Sequence, residues 1–100
     1  MASDNSKFIR YAIVLKKLKD FTPEIINEHV AHLRSLDEKE ILEICGPFLD
    51  HPGGMVVIKT TSIEDAKNIA ETDPFVKNGF ESYEIRTWLM ACKDNNYLLQ

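Results

Sequence analysis

Cysteine is scarce: Cys45 and Cys92 are the only two in 100 residues, too few for a disulfide framework. Cys45 lies inside an apolar segment and reads as a small core filler rather than a nucleophile. No apolar run approaches the ~18 residues a membrane span needs, and the opening MASDNSK has no apolar region of the secretory kind. The expected location is therefore the cytoplasm, with no membrane partner. Basic charge is also short, with 12 Lys and Arg against 16 Asp and Glu, a net charge of −4. That balance sets aside nucleic acid, whose binders carry a clustered basic face. Lys16, Lys17 and Lys19 follow an apolar run and read as a solvated strand end. There is no glycine-rich phosphate loop, no Ser–His–Asp signature and no metal-spaced cysteine cluster, so no cofactor and no metal are expected. His29 and His32 have a spacing that could ligate a metal, but His51 is the only other histidine and no cysteine or carboxylate stands at an obvious matching position.

What is present is ordinary globular material, 44% hydrophobic and 28% charged, expected to form one domain over residues 1–100 with a loose end at 1–6. Residues 7–16, KFIRYAIVLK, are rich in β-branched and aromatic types and predict a strand. In FTPEII, Thr22 is placed to cap a helix with Pro23 at its first position, running to about Leu36 or a little beyond. Residues 41–49 and 55–61 predict two strands joined through the turn cluster DHPGG. SIED opens a second helix, with Ser62 as cap and Asp65 as capping-box partner, continuing to about Thr72. Residues 80–91 predict the last strand. The order is β-α-β-β-α-β, an α+β ferredoxin-like unit: a four-stranded antiparallel sheet with both helices on one face.

Two helices cover only one face of such a sheet, yet both faces of these strands are apolar. Ile9, Tyr11, Ile13 and Leu15 point one way, Phe8, Ala12 and Val14 the other. Met55 and Val57 oppose Val56 and Ile58 in the same manner. A solvated face would alternate apolar with polar, so the second face is expected to be covered by another copy of the chain, giving a homodimer. Arg10, Glu84, Arg86 and Trp88 fall on that second face. Charges there must be paired or line a wet cavity, which leaves two readings: an Arg10–Glu84–Arg86 ion-pair set, or a polar pocket wall.

DPFVKNGF, residues 73–80, has Asp73 as a helix cap, Pro74 at the first helical position and Gly79 at the left-handed end. A cap-held carboxylate can also orient a histidine. On the first helix Ile25, Ile26, Val30, Leu33 and Leu36 form one stripe. His29 falls inside the stripe and reads as a buried or interfacial histidine bonded to a backbone carbonyl. His32 falls at its edge, where a ring can reach a cleft, and is the candidate acid/base partner of Asp73.

HLRSL, CGPFLD, the glycine pair at 53–54, SIEDA, DPFVKNGF and YEIRTW, in this order, resemble the YCII-related (YciI-like) family over residues 8–91. The resemblance implies a dimeric α/β barrel, with two ferredoxin-like sheets face to face, and a His–Asp active pair mapped to His32 and Asp73. His29 departs from the pattern, which often has an arginine three residues before the histidine. Similar proteins include a dehydrochlorinase of chlorinated hydroxyquinols. Two functions follow. The first is a lyase or isomerase acting on a small substrate, aromatic rings included, through His32 and Asp73. Its pocket would be formed by Arg10, Gly46, Pro47, Phe75, Arg86 and Trp88. The second is a non-catalytic metabolite-binding or accessory module built on the same pocket.

Overall fold

The computed structural model describes residues 5–99. A 3₁₀ turn, Ser6–Phe8, leads into strand β1, Ile9–Lys17. The expected loose end at 1–6 lies outside the described residues for positions 1–4, while Ser6 already belongs to the turn. Helix α1 is Pro23–Glu38, started as expected by the Thr22 hydroxyl, which accepts from the Ile25 N–H at 3.2 Å. It ends without glycine. Glu40 takes the left-handed conformation, φ 60°, so that the Ile41 N–H can reach the Leu36 carbonyl at 2.9 Å.

Strands β2, Leu42–Pro47, and β3, Gly53–Ile58, follow, then helix α2, Ile63–Thr72. Strand β3 begins two residues before the expected 55, because Gly53 and Gly54 pair with Lys16 and Leu15. The box at Ser62 is half made. Its hydroxyl accepts from the Asp65 N–H at 3.1 Å, but the Asp65 carboxylate turns to the Thr61 hydroxyl at 2.9 Å. A one-turn helix α3, Pro74–Lys77, precedes β4, Glu81–Leu89, and a 3₁₀ segment, Lys93–Leu98, that the sequence reading left out.

The strands form one antiparallel sheet in the order β2-β3-β1-β4, which is the ferredoxin-like arrangement. Cross-strand pairs Ile13–Val56 and Tyr11–Ile58 face the helices and bury against Leu36, Ala66 and Ala70. Pairs Ala12–Val57, Ala12–Arg86 and Arg10–Trp88 face the other way. Among the described residues no helix is long and apolar enough to cross a membrane.

Candidate active site

The cavity opens between α1 and the start of β3. At that point the sheet offers Gly53 and Gly54 where other positions carry side chains, so they bring no side chain to fill the space. The glycines are required by backbone proximity. A Cβ on Gly53, φ 131°, would meet the Leu15 carbonyl oxygen at 1.9 Å, and one on Gly54 would meet the Gly46 carbonyl oxygen at 2.6 Å. The resulting space is about 470 Å³, within the range of small-molecule sites. Its walls are mostly apolar, with Leu15, Phe21, Leu33 and Phe75 prominent, and its polar groups are His29, Glu81 and the Cys45 thiol.

His29 is the histidine that Asp73 holds. The Nδ1–H donates to Asp73 Oδ1 at 2.8 Å, and the same oxygen accepts the Phe75 N–H at 3.0 Å. Capping of α3 and orientation of the imidazole therefore use one carboxylate oxygen. Asp73 is 4% exposed, so the pair is shielded from water. The imidazole stacks on Phe75 with centroids 3.9 Å apart, and Phe75 stacks on Phe21 at 4.2 Å. With Nδ1 committed and the ring fixed, Nε2 is the nitrogen left for a ligand.

The direct hydrogen bond expected between His32 and Asp73 is not made: the Asp73 carboxylate bonds His29 instead, while its charge still reaches His32. It is partly buried, and desolvation lowers its pKa despite the opposing field of Asp73, with His29 and Lys39 lowering it further. The physical reason is the shape of α1. Ile25 and Leu36 are core residues, whereas Ile26, His29 and Leu33 form the row lining the cavity. The apolar stripe read from sequence is two surfaces, one packed and one concave.

Gly46, Pro47 and Phe75 line the cavity. Arg10, Arg86 and Trp88 do not; strand alternation puts them on the opposite sheet face from the lining residues Leu15 and Val56. The expected Arg10–Glu84–Arg86 set is also divided. Arg10 Nε donates to Glu43 at 2.6 Å, and Arg86 Nη2 to Glu84 at 2.5 Å. Cys45, expected in the core, is exposed at the cavity, and partial desolvation of its thiol, with Asp37 adding, pushes the pKa up. Glu81 was missed altogether. It opens β4 and is 5% exposed, with burial pushing its pKa up to about 7. An acid at a strand's first position normally reads as solvated, so no sequence signal marked it. Among the described residues no group of three or more His, Cys, Asp or Glu is placed to hold a metal ion.

The comparisons with known proteins bear on family and fold. The chain is 32% identical to the uncharacterized protein YjpA of Bacillus subtilis (strain 168) over 78 residues, 78% of this chain and 92% of that one. It superposes on 5-chloro-2-hydroxyhydroquinone dehydrochlorinase (TftG) of Burkholderia phenoliruptrix AC1100, in complex with 2,5-dihydroxybenzoquinone. The TM-score is 0.63, covering 79% of this chain and 92% of that one, and at 23% identity the likeness is one of fold. The YCII-related domain matches residues 9–89, and the chain belongs to that family.

Proposed function

We propose that the protein is a small-molecule enzyme of the lyase or isomerase kind, with His29 as its proton shuttle and Asp73 as the residue that orients it. The observation that carries this reading is the 2.8 Å bond from His29 Nδ1 to Asp73, made on the wall of an apolar cavity. A carboxylate behind Nδ1 fixes the tautomer in which Nε2 is an acceptor, and it stabilises the imidazolium once a proton has been taken. The apolar lining, which includes Phe21 and Phe75, suits a small apolar or aromatic substrate, in keeping with the oxygenated ring bound by the dehydrochlorinase of the same fold. His29 would withdraw a proton from a C–H or O–H of the ring, and the same imidazolium would return it elsewhere or leave it for water.

The working form we propose is a homodimer joined through the sheet face opposite the helices. Supporting this, Ile44 and Trp88 are large, apolar and exposed on that face.

The test is turnover of hydroxylated and halogenated quinols and related lactones, followed by absorbance and by deuterium exchange into the ring. His29→Ala should lower the rate by about 10²-fold or more, the usual size of an acid/base contribution. His32→Ala should change it little. Equal activity in His29→Ala and the wild type removes the shuttle, and specific binding with no turnover of any ring compound favours a binding module.

A further inference from the structure

We propose that Glu81 is a second catalytic residue of this cavity, donating a hydrogen bond from its carboxyl group to a carbonyl or phenolic oxygen of a small planar ligand. The proposal rests on the preceding reading for where the ligand lies, and on independent observations for what Glu81 does.

Among the described residues no hydrogen-bond partner accounts for Glu81 Oε1. Its side chain lines the cavity, and its Oε1 atom is shut off from solvent with no hydrogen bond. An unpaired oxygen in an apolar enclosure is costly, and a charged one far more so. The obvious cation does not relieve it. Lys17, its cross-strand neighbour on β1, directs its ammonium to Asp20 at 3.5 Å and over the Phe21 ring at 4.9 Å. The other titratable groups facing it are His29 on α1, Asp73 at the head of α3 and, across the cavity on β2, Cys45.

Desolvation and the Asp73 charge outweigh the opposing pull of His29 and Lys17, so the carboxyl pKa rises to about 7. Near neutrality a large share of the protein therefore carries the neutral acid, which can donate as a carboxylate cannot. The cavity thus has an acceptor nitrogen and a donor hydroxyl. That pair matches a ring bearing an acidic proton at one position and a conjugated carbonyl at another. When Nε2 takes the proton, the C–H or O–H bond breaks and an N–H bond forms. The freed electron pair moves through the conjugated system onto the carbonyl oxygen, where the Glu81 O–H is the donor that stabilises it. No oxidant or reductant is needed, and the proton on His29 is the one returned.

The probe is 2,5-dihydroxybenzoquinone, titrated calorimetrically at pH 6 and pH 8 into the wild type, Glu81→Gln, Glu81→Ala and His29→Gln. Glutamine keeps a donor that does not titrate, and comparing it with the wild type cancels the ligand's own ionisation. The wild type is expected to lose about tenfold more affinity than Glu81→Gln over this range. Glu81→Ala should bind weakly at both pH values. The Glu81 carboxyl carbon should titrate near neutrality in the NMR spectrum and shift when the probe binds. An unchanged pH dependence in Glu81→Gln overturns the donor role, as does a carboxyl that titrates in the ordinary acid range. Failure of the probe to bind any form at pH 6 overturns the ligand class. The two readings separate through His29→Gln: retained turnover there sinks the shuttle alone, while the pH step assigned to Glu81 stands or falls by itself.

Discussion

Asp73 carries two duties on one oxygen, and its substitutions separate them. Asp73→Ala removes the cap of α3 and leaves the His29 Nδ1–H without an acceptor, so a loss of about 2 kcal/mol is expected in chemical denaturation. Asp73→Asn keeps an acceptor at Oδ1 for both donors and should retain most of that stability. It removes the charge behind the imidazole, so any turnover should fall well before the fold does. Glu81 makes a prediction in pH. In the unfolded chain it loses its proton near the ordinary 4.5, and in the folded chain at about 7. Between those values the folded state holds more proton, so Glu81 lowers stability progressively as pH rises from 4.5 to 7, and by a constant amount above. Glu81→Gln should therefore gain about 3 kcal/mol at pH 8 and almost nothing at pH 4. Equal gains at both pH values would refute the burial argument. At this scale the sequence was half legible. Asp73 announced itself through Pro74, a local signal, whereas the choice between His29 and His32 depended on which side of α1 faces a hollow. Helical periodicity separates apolar from polar, but it does not separate packed from concave.

The elements were more legible because their ends are written in short-range chemistry. Thr22, Ser62 and Asp73 each cap the helix that follows, through side-chain bonds to backbone N–H groups two or three residues on. Strand β3 was read as starting two residues late, at 55 rather than at Gly53, because Gly53 and Gly54 look like turn residues. Their function in the strand is set by carbonyls of β1 and β2, which no local pattern contains. Gly54→Ala should accordingly destabilise by about 2 kcal/mol through a backbone clash, while Gly46→Ala, which meets nothing within 4 Å, should be close to neutral. A thermal melt of the pair tests this directly. The end of α1 offers the opposite change. Glu40 holds a left-handed backbone that glycine adopts freely, so Glu40→Gly should raise stability by up to about 1 kcal/mol. A lowered melting temperature would count against the left-handed end of α1.

For the whole molecule, the two apolar faces visible in β1 and β3 were the most informative pattern in the chain. One face is the core; the other leaves Ile44 and Trp88 uncovered beside the Arg10–Glu43 and Arg86–Glu84 pairs. Sedimentation should show a dimer at micromolar concentration, reverting toward monomer in Ile44→Asp, and a wild-type monomer would contradict the assembly proposed above. Because Trp88 is the chain's only tryptophan and stands on the face turned away from the cavity, its position also decides what the protein's intrinsic fluorescence can report. Emission and acrylamide quenching should follow the meeting of two sheets as protein concentration rises. A colourless ligand settling beside His29 and Glu81 should leave that signal almost untouched, so a flat fluorescence titration would be the natural response of a site that is filled.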